Sequence, residues 1–336
     1  MMKKLAAAGL AAAVLVSTAR ADEPVTLRFA VPGSGQQSPT WAMLWQPWIQ
    51  KIEGDAGGEL KLQPFFGPTL ATNANVYDRV MSGVAEMGTG VHGSVGGKFP
   101  GSSVVELPSD IAGREGAAAF WKIYQDGLIA SEYVDVRLLV LFIYPQSFLN
   151  TNKPVARLDD VKGFKIATLT RADAEVASRL GGAPITTSPG DVYDILQRRG
   201  ADGMIIGWLG LVGFKLAEVT NHHVVVGLGS GGGYLIINKD VYAKLPAKAR
   251  ASIDKNSGAA TSRDSGAALD RIYANTENVV RGLPGHTIFR LEGAELERYR
   301  KQIADPLVEE WQKRIPNGPA IFAAYRAEVA RVRAGN

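Results

Sequence analysis

The feature that most constrains the fold is an alternation of strand and helix signals along nearly all of this 336-residue chain. Residues 25–31 alternate as a strand and stop at Pro32-Gly33, and residues 40–52 then carry apolar side chains at helical spacing. Residues 136–143 form a run rich in Val, Leu and Ile, which is typical of a strand buried on both faces. Strands that alternate with helices in this way predict an α/β fold with mostly parallel, buried sheets.

The second half of the chain repeats this order. Strands are predicted at residues 165–169, 183–187 and 203–207, with helices at residues 172–180 and 192–199 between them. A Gly- and Ser-rich linker at residues 229–233 precedes another strand. A long polar helix pattern runs from Pro246 to about Arg281, and we expect it to span two lobes, with Gly258 and Gly266 at kinks or close contacts. The last predicted helix runs from Glu295 to about Arg314, with Trp311 as its core anchor.

The N-terminus has the pattern of a secretory signal peptide. Lys3 and Lys4 precede an apolar run at residues 5–16, and Ala19 and Ala21 then have the spacing that signal peptidase prefers. The apolar run is well short of the roughly 20 residues that a membrane-spanning helix needs. We therefore predict a signal peptide at residues 1–21 and export to the periplasm, with a membrane anchor as the less favoured alternative.

Charge and cysteine content exclude several classes of function. The chain has 37 basic and 33 acidic residues; Lys3, Lys4 and Arg20 belong to the predicted signal, which leaves 34 basic residues in the mature chain. A nearly neutral protein is not expected to bind nucleic acid or anionic lipid. The absence of cysteine excludes disulfides, a thiol nucleophile and thiolate metal ligands. About 315 mature residues favour two domains with cores large enough to be stable without disulfides.

Seven segments in order resemble one family of receptors. They are LRFAV at residues 27–31 followed by Ser38-Pro39, VYDRVMSGVAEM at 76–87, VELP at 105–108, NTNKPV at 150–155, LDDVKGFKI at 158–166, VYDILQRRGADG at 192–203 and YLIINKDVYAKL at 234–245. The chain thereby resembles solute-binding proteins of TRAP (tripartite ATP-independent periplasmic) transporters of the dicarboxylate-binding, DctP-like type. The resemblance covers about 220 residues, counted from the first segment to the last.

The resemblance implies a two-lobed periplasmic-binding-protein fold with mixed sheets, crossing strands at the hinge and a long helix spanning both lobes. A hinge motion would then close the lobes on the ligand. We expect lobe I to contain residues 22–145 and 234–265, and lobe II residues 146–233 and 266–336. The implied partners are a small organic acid and the small and large membrane subunits of a transporter. A monomer is expected.

The chain departs from the family at its polar anchors. Carboxylate-binding members usually have an arginine directly after the "GlKi" segment, where its two-pronged guanidinium binds a carboxylate; here the residue is Ala167. A second family arginine falls near Gln146, and the family's "DGQENP" is replaced by residues 202–207, followed by Trp208. These changes predict a monocarboxylate with an apolar or aromatic body rather than a short dicarboxylate.

Candidate ligand-binding residues follow from these departures and from loops after strand ends. Arg171 is either a replacement cation or a solvated arginine near Asp173, and Trp208 is either a flat wall for a ring or a core aromatic. Gln146 is either a hydrogen-bonding group or a surface residue, and His92 either approaches the ligand or is an ordinary loop histidine. Tyr144 lies at the predicted crossing between lobes, where it either lines the cleft or packs. The remaining candidate ligand-binding residues lie just after a predicted strand or at the end of one. They are Gln37, Trp41, Phe66 and Thr168.

Signals for an enzyme are weak. The four histidines form no zinc motif, and Gly227–Gly232 matches G-x-G-x-x-G but leads into a strand, so the helix N-terminus that binds phosphate is missing. Residues 252–255 match S-x-x-K without its companion motifs. We therefore expect a receptor with no cofactor, no metal and no catalytic residues. A binding protein for another transporter or a sensor, and a periplasmic enzyme, stay as alternatives.

Overall fold

The computed structural model describes residues 23–33 and 35–335, so the predicted signal peptide lies outside the described residues. Within them the chain forms two mixed β-sheets. The strands are β1 (Val25–Val31), β2 (Leu60–Phe66), β3 (Met87–Val91), β4 (Arg137–Ile143), β5 (Phe148–Thr151), β6 (Lys165–Thr168), β7 (Ala183–Thr186), β8 (Gly203–Ile206), β9 (His222–Val225), β10 (Gly232–Ile237) and β11 (Thr287–Arg290).

Helices connect these strands and cover the faces of the sheets. They are α1 (Gln46–Asp55), α2 (Val76–Met81), α3 (Gly113–Gln125), α4 (Arg171–Arg179), α5 (Val192–Gln197), α6 (Trp208–Gly213), α7 (Lys239–Lys244), α8 (Ala247–Lys255), α9 (Gly258–Arg281), α10 (Gly293–Tyr299), α11 (Asp305–Arg314) and α12 (Gly318–Arg333). In the part of the chain that the structure describes, no helix combines the length and apolar character needed to cross a membrane.

The strand order confirms the predicted α/β fold with mixed sheets. The first sheet has the order β2-β1-β3-β10-β4, and the second has the order β11-β9-β5-β8-β6-β7. In the first sheet β1 is parallel to β2 and β3, whereas β10 is antiparallel to β3 and β4. In the second sheet β6 is parallel to β7 and β8, whereas β5 is antiparallel to β8 and β9. The chain therefore enters the second sheet at β5 and returns to the first at β10.

Apolar cores lie on both faces of the first sheet, which explains its nearly continuous apolar strands. Tyr234 and Ile236 of β10 face one cluster of buried residues, and Leu235 and Ile237 face another. The second sheet is likewise covered by two clusters. Cores of this extent stabilise a chain without disulfides.

Two extended segments run side by side where the chain passes between the sheets. The backbone N–H of Tyr144 donates to the Gly231 carbonyl at 2.8 Å, and the Ser147 N–H donates to the Gly229 carbonyl at 2.7 Å. The Leu228 N–H donates back to the Ser147 carbonyl at 3.0 Å. We refer to residues 144–147 and 226–231 as the crossing segments. β10 begins at Gly232, two residues before the expected lobe boundary at 233/234, and the lobe limits stay a prediction.

The single long helix predicted from Pro246 is wrong in its bounds. The helical path breaks between α8 and α9, where Gly258 has a φ of +87°, a left-handed conformation that favours glycine. The expected close contact is confirmed at Gly266, since a Cβ there would lie 2.1 Å from the Gly113 carbonyl oxygen of α3. The sequence pattern did not predict α12, which buries Ile321, Tyr325 and Val329 at four-residue spacing.

Candidate functional site

A cavity of about 230 Å³ lies between the two sheets, beside the crossing segments. Its walls come from the loops that follow β1, β3, β6 and β8, and from one residue of α9. Loops at the carboxyl ends of strands are where open α/β sheets bind ligands. This cavity is the candidate site.

The lining is mainly apolar and carries no cation. Its larger apolar members are Pro39, Val91, Tyr144, Pro145, Leu169, Pro189, Ile205, Ile206, Leu209, Phe214 and Tyr273. Its hydroxyl and amide groups belong to Ser38, Thr40, Asn73, Ser94, Ser147, Thr170 and Ser230. None of the lining residues in the described part of the chain is Lys, Arg or His, and Asp173 is the one carboxyl among them. The cavity therefore offers hydrogen bonds and apolar contacts instead of an ion pair.

Asp173 belongs to the first turn of α4. Its backbone N–H donates to Thr170 Oγ1 at 3.1 Å, and its Oδ2 accepts from the Thr170 N–H at 3.2 Å, which closes a reciprocal cap. Burial raises the pKa of Asp173 to about 6, against the opposing effect of the hydrogen bonds from Thr170. A carboxyl with this pKa gains and loses a proton close to neutral pH.

Tyr144 is the one sequence-predicted site residue that lines the cavity itself. Its ring lies edge-on to Phe142 at a centroid distance of 5.5 Å and directly against Gly231 of the second crossing segment. Burial raises the pKa of Tyr144 to about 12, so its phenol is neutral at physiological pH. The ring gives the cavity an aromatic wall fixed at the junction of the two sheets.

Gln146 lies behind the cavity, where it ties together the crossing segments. Its Nε2 donates to the Ile111 carbonyl at 2.9 Å and to Ser230 Oγ at 2.9 Å, and it also contacts Ser109 Oγ at 3.2 Å. Its backbone carbonyl accepts from Tyr273 Oη of α9 at 2.9 Å. These bonds occupy the amide nitrogen of Gln146 and connect the two crossing segments through Ser230, whose hydroxyl lines the cavity.

His92 lies in the core of the first sheet. The ring is 2% exposed, its Nε2 lies 2.6 Å from Tyr133 Oη, and its neighbours include Phe99 and Phe120. Burial lowers the pKa of His92 to about 3, so the imidazole is neutral at physiological pH. The cavity lining takes Val91 and Ser94 from this loop instead.

The remaining first-sheet candidates do not reach the cavity either. Trp41 is 6% exposed and packs edge-on against Phe66 at a centroid distance of 4.7 Å. Gln37 is exposed, and its neighbour Ser38 lines the cavity. Trp41 and Phe66 therefore belong to the aromatic packing around α1.

Trp208 and Thr168 are buried in the second sheet. Trp208 is 0% exposed, its ring centroid lies 4.2 Å from that of Phe148, and its Nε1 donates to Glu277 Oε2 at 3.1 Å. Ala167 belongs to the same apolar cluster. Thr168 is also 0% exposed, and its Oγ1 finds no hydrogen-bond partner in the described part of the chain. Of the two interpretations of Trp208, the structure places it as a core aromatic.

Arg171 points away from the cavity. Its side chain is 79% exposed, and its Nε donates to Glu175 Oε1 at 2.8 Å, an oxygen that also accepts from Arg314 at 3.1 Å. Of the two interpretations of Arg171, the structure thus places it as a surface arginine in an ion-pair network. No arginine lies in the cavity lining of the described residues.

The sequence-predicted candidates lie next to the cavity lining more often than in it. Besides Tyr144, seven candidates are directly next in sequence to a lining residue: Gln37, Trp41, His92, Gln146, Thr168, Arg171 and Trp208. Asn73 and Asp173 were missed as site residues. The capping pattern T-x-x-D, which begins at Thr170, was a sequence signal for the position of Asp173.

A family model matches most of the chain. The model described as "Bacterial extracellular solute-binding protein, family 7" matches residues 34–314. Among curated proteins, the chain is 27% identical over 186 residues to the C4-dicarboxylate-binding periplasmic protein DctP of Rhodobacter capsulatus. It is 22% identical over 207 residues to a solute-binding protein of Verminephrobacter eiseniae. The matches span 54% and 60% of the lengths of these relatives, and 54% and 59% of this chain.

Three solved structures resemble the whole described chain. A TRAP solute-binding protein from Rhodoferax ferrireducens T118 with copurified benzoate matches with a TM-score of 0.86 and 25% identity, over 93% of this chain and 100% of that one. A marine-metagenome TRAP solute-binding protein with 3-hydroxybenzoate matches with a TM-score of 0.85 and 25% identity, over 92% of this chain and 98% of that one. A TRAP solute-binding protein from Bordetella bronchiseptica with (R)- and (S)-mandelate matches with a TM-score of 0.83 and 26% identity, over 92% of this chain and 100% of that one.

Proposed function

The chain belongs to family 7 of the bacterial extracellular solute-binding proteins, and we propose that it is an exported receptor for a small organic acid with an aromatic or apolar body. In this proposal the signal peptide directs it to the periplasm, where it binds the acid and delivers it to the small and large membrane subunits of a TRAP transporter. It performs no chemistry on the ligand.

The observation that carries the proposal is the chemistry of the cavity. An apolar cavity of about 150 Å³ is large enough for benzene, and this one measures about 230 Å³ and has Tyr144 as an aromatic wall. A short dicarboxylate would bring two negative charges into a lining that holds no Lys, Arg or His. Such a site favours one polar end on the hydroxyl groups and an apolar body against Ile206, Leu209 and Phe214.

The similar structures support the same class of ligand. The three described above contain benzoate, 3-hydroxybenzoate and mandelate, each of which joins one carboxylate to one aromatic ring. In this proposal the antiparallel crossing segments and the bonds of Gln146 form the hinge about which the two lobes close on such a molecule.

A thermal-shift screen followed by calorimetry tests the proposal. Benzoate, 3-hydroxybenzoate and mandelate are expected to raise the melting temperature of the mature protein by several degrees at saturating concentration, because a ligand that binds the folded state stabilises it. Succinate, malate and fumarate are expected to have little effect. Stabilisation by the dicarboxylates alone would refute the proposed ligand class.

Tyr144→Ala tests whether this cavity is the binding site. Removing the aromatic wall is expected to weaken benzoate binding about tenfold or more, since a well-packed aromatic contact contributes about 0.5–1.5 kcal/mol beyond its buried area. Tyr193→Ala is the matched control, because Tyr193 lies outside the lining and bonds to Glu218. Melting curves without ligand establish that both variants fold. Unchanged affinity in Tyr144→Ala would place the ligand elsewhere.

A further inference from the structure

Glu106 is a buried carboxyl at a contact between the two lobes. It ends the short helical turn Ser102–Glu106 that follows β3, and the residue is 8% exposed. Its Oε1 has no hydrogen-bond partner among the residues that the structure describes. A Cβ placed on Gly93 would lie 2.7 Å from this Oε1 and 2.7 Å from the Thr170 methyl group. Thr170 precedes α4 of the second sheet, so the start of α4 closes over Glu106.

Asp173 caps the same end of α4 through its reciprocal hydrogen bonds with Thr170. Burial raises the pKa of Glu106, the negative charge of Asp173 raises it further, and a hydrogen bond from the Gly93 backbone opposes both, so that the pKa lies at about 8. Asp173 is the carboxyl that lines the ligand cavity. The pair therefore connects the cavity to the interface that closes around it.

Neighbouring charges do not neutralise this pair. Arg171 and Arg314 line the groove beside Glu106, but both guanidinium groups bind Glu175. Glu310 of the same groove is bound to Arg179. His92, the nearest histidine of the groove, is neutral because burial lowers its pKa to about 3.

We propose that closure of the lobes around the organic acid takes up a proton on the Glu106–Asp173 pair, so that the receptor binds its ligand more tightly as the pH falls. The inference rests on the proposed function, since it concerns the regulation of the same cavity. It also predicts that release of the ligand is favoured where the pH is higher.

The sign follows from the two states of the interface. In open lobes water reaches both carboxyls, which then lose their protons near the usual pKa of about 4. In the closed form the raised pKa values mean that one more proton is bound. The affinity for the ligand is therefore highest at low pH and falls as the pH rises toward 8. Where binding takes up one proton, the affinity falls about tenfold per pH unit.

Calorimetry with benzoate between pH 5.5 and 8.5 tests the proposal. Benzoate stays ionised over this range, because carboxylic acids have a pKa of about 4. We expect the dissociation constant of the wild type to rise at least tenfold between pH 6 and pH 8. In buffers of different ionisation enthalpy the binding heat should reveal net proton uptake. A dissociation constant independent of pH would overturn the proposal.

Two variants remove the titrating groups without removing their shape. Glu106→Gln is expected to abolish most of the pH dependence and to keep tight binding at pH 8, and Asp173→Asn, which retains an oxygen for the α4 cap, is expected to reduce the dependence. Glu175→Gln is the matched control, since this carboxylate of α4 lies in the exposed ion-pair network. An unchanged slope in Glu106→Gln would refute the assignment.

Failure of the proposed function gives a different result. If none of the aromatic acids binds at any pH, the ligand class is wrong, while the proton pair is still decided by carbon-13 NMR of the carboxyl groups. The Glu106 resonance, identified by its loss in Glu106→Gln, should titrate several pH units above an exposed glutamate. Titration at an ordinary pKa would overturn the pair itself.

Discussion

Gly266→Ala should destabilise the protein through a single methyl group. A Cβ at this position would lie 2.1 Å from the Gly113 carbonyl oxygen, whereas ordinary contact begins at 3.4 Å, so α9 and α3 would have to separate by at least 1.3 Å. The opposing atoms belong to the backbone of α3, which has no rotamer that relieves the contact. The helices must therefore shift as units.

The size of the effect is set by two opposing contributions. Overpacking of this kind costs about 1–3 kcal/mol, and the backbone contact places Gly266→Ala at the upper end of this range. Alanine in a helix interior is favoured over glycine by about 1 kcal/mol. We therefore expect a net loss of about 2 kcal/mol in the free energy of unfolding.

Urea unfolding followed by circular dichroism measures this loss. Gly54→Ala is the matched control, because Gly54 is an exposed glycine of α1 whose added Cβ would meet nothing within 4 Å. It should raise the unfolding midpoint slightly, by the propensity gain alone. If Gly266→Ala has the midpoint of the wild type or a higher one, the close approach of α3 and α9 does not constrain the fold, and the reasoning is refuted.

Two further predictions concern charged and titrating groups. Arg171→Ala should leave benzoate affinity within about twofold in calorimetry, because a surface ion pair contributes little and Arg171 points away from the cavity; a tenfold loss would contradict this placement. Burial lowers the pKa of His223 to about 3, so the unfolded chain binds its proton first and stability should fall by about 1.4 kcal/mol per pH unit below pH 6.5. Urea titrations should show a shallower slope in His223→Gln than in the wild type; equal slopes would refute this origin.

The alternation of periodicities was sufficient to predict the α/β class, whereas the two lobes and crossing strands were implied by the family resemblance. Strands such as β4 and β10 are apolar on both faces because both faces are buried. A strand buried in this way needs a nearly continuous run of apolar residues, and such a run can be recognised in a single sequence. The break before α9 was anticipated only as a kink or close contact at Gly258, because polar residues continue through it and the helical pattern itself does not end there. α12 was missed because its buried residues, four apart, lie among many alanines.

The candidate site was predicted only at the level of segments. A strand end fixes which loop reaches the cavity, but the direction of each side chain depends on turns and on tertiary hydrogen bonds. The Ile111 carbonyl and the Ser230 hydroxyl hold the amide nitrogen of Gln146, and its Oε1 has no hydrogen-bond partner among the described residues. Trp208 is directed inward by Phe148 and Glu277, and its neighbours Gly207 and Leu209 line the cavity. None of these partners is adjacent in sequence.

The missing cation and the buried acid pair are two parts of one electrostatic problem. An anion about 4 Å from an ionised carboxylate costs about 4 kcal/mol at an effective dielectric constant of 20. Holding a proton at pH 7 on a carboxyl with a pKa of about 6, as burial gives Asp173, costs about 1.4 kcal/mol. Neutralisation is the smaller cost, so the proposed proton uptake would allow a cavity with no arginine in its described lining to accept a carboxylate. The same arithmetic disfavours a dicarboxylate, because one proton compensates for one negative charge and the second stays without a partner.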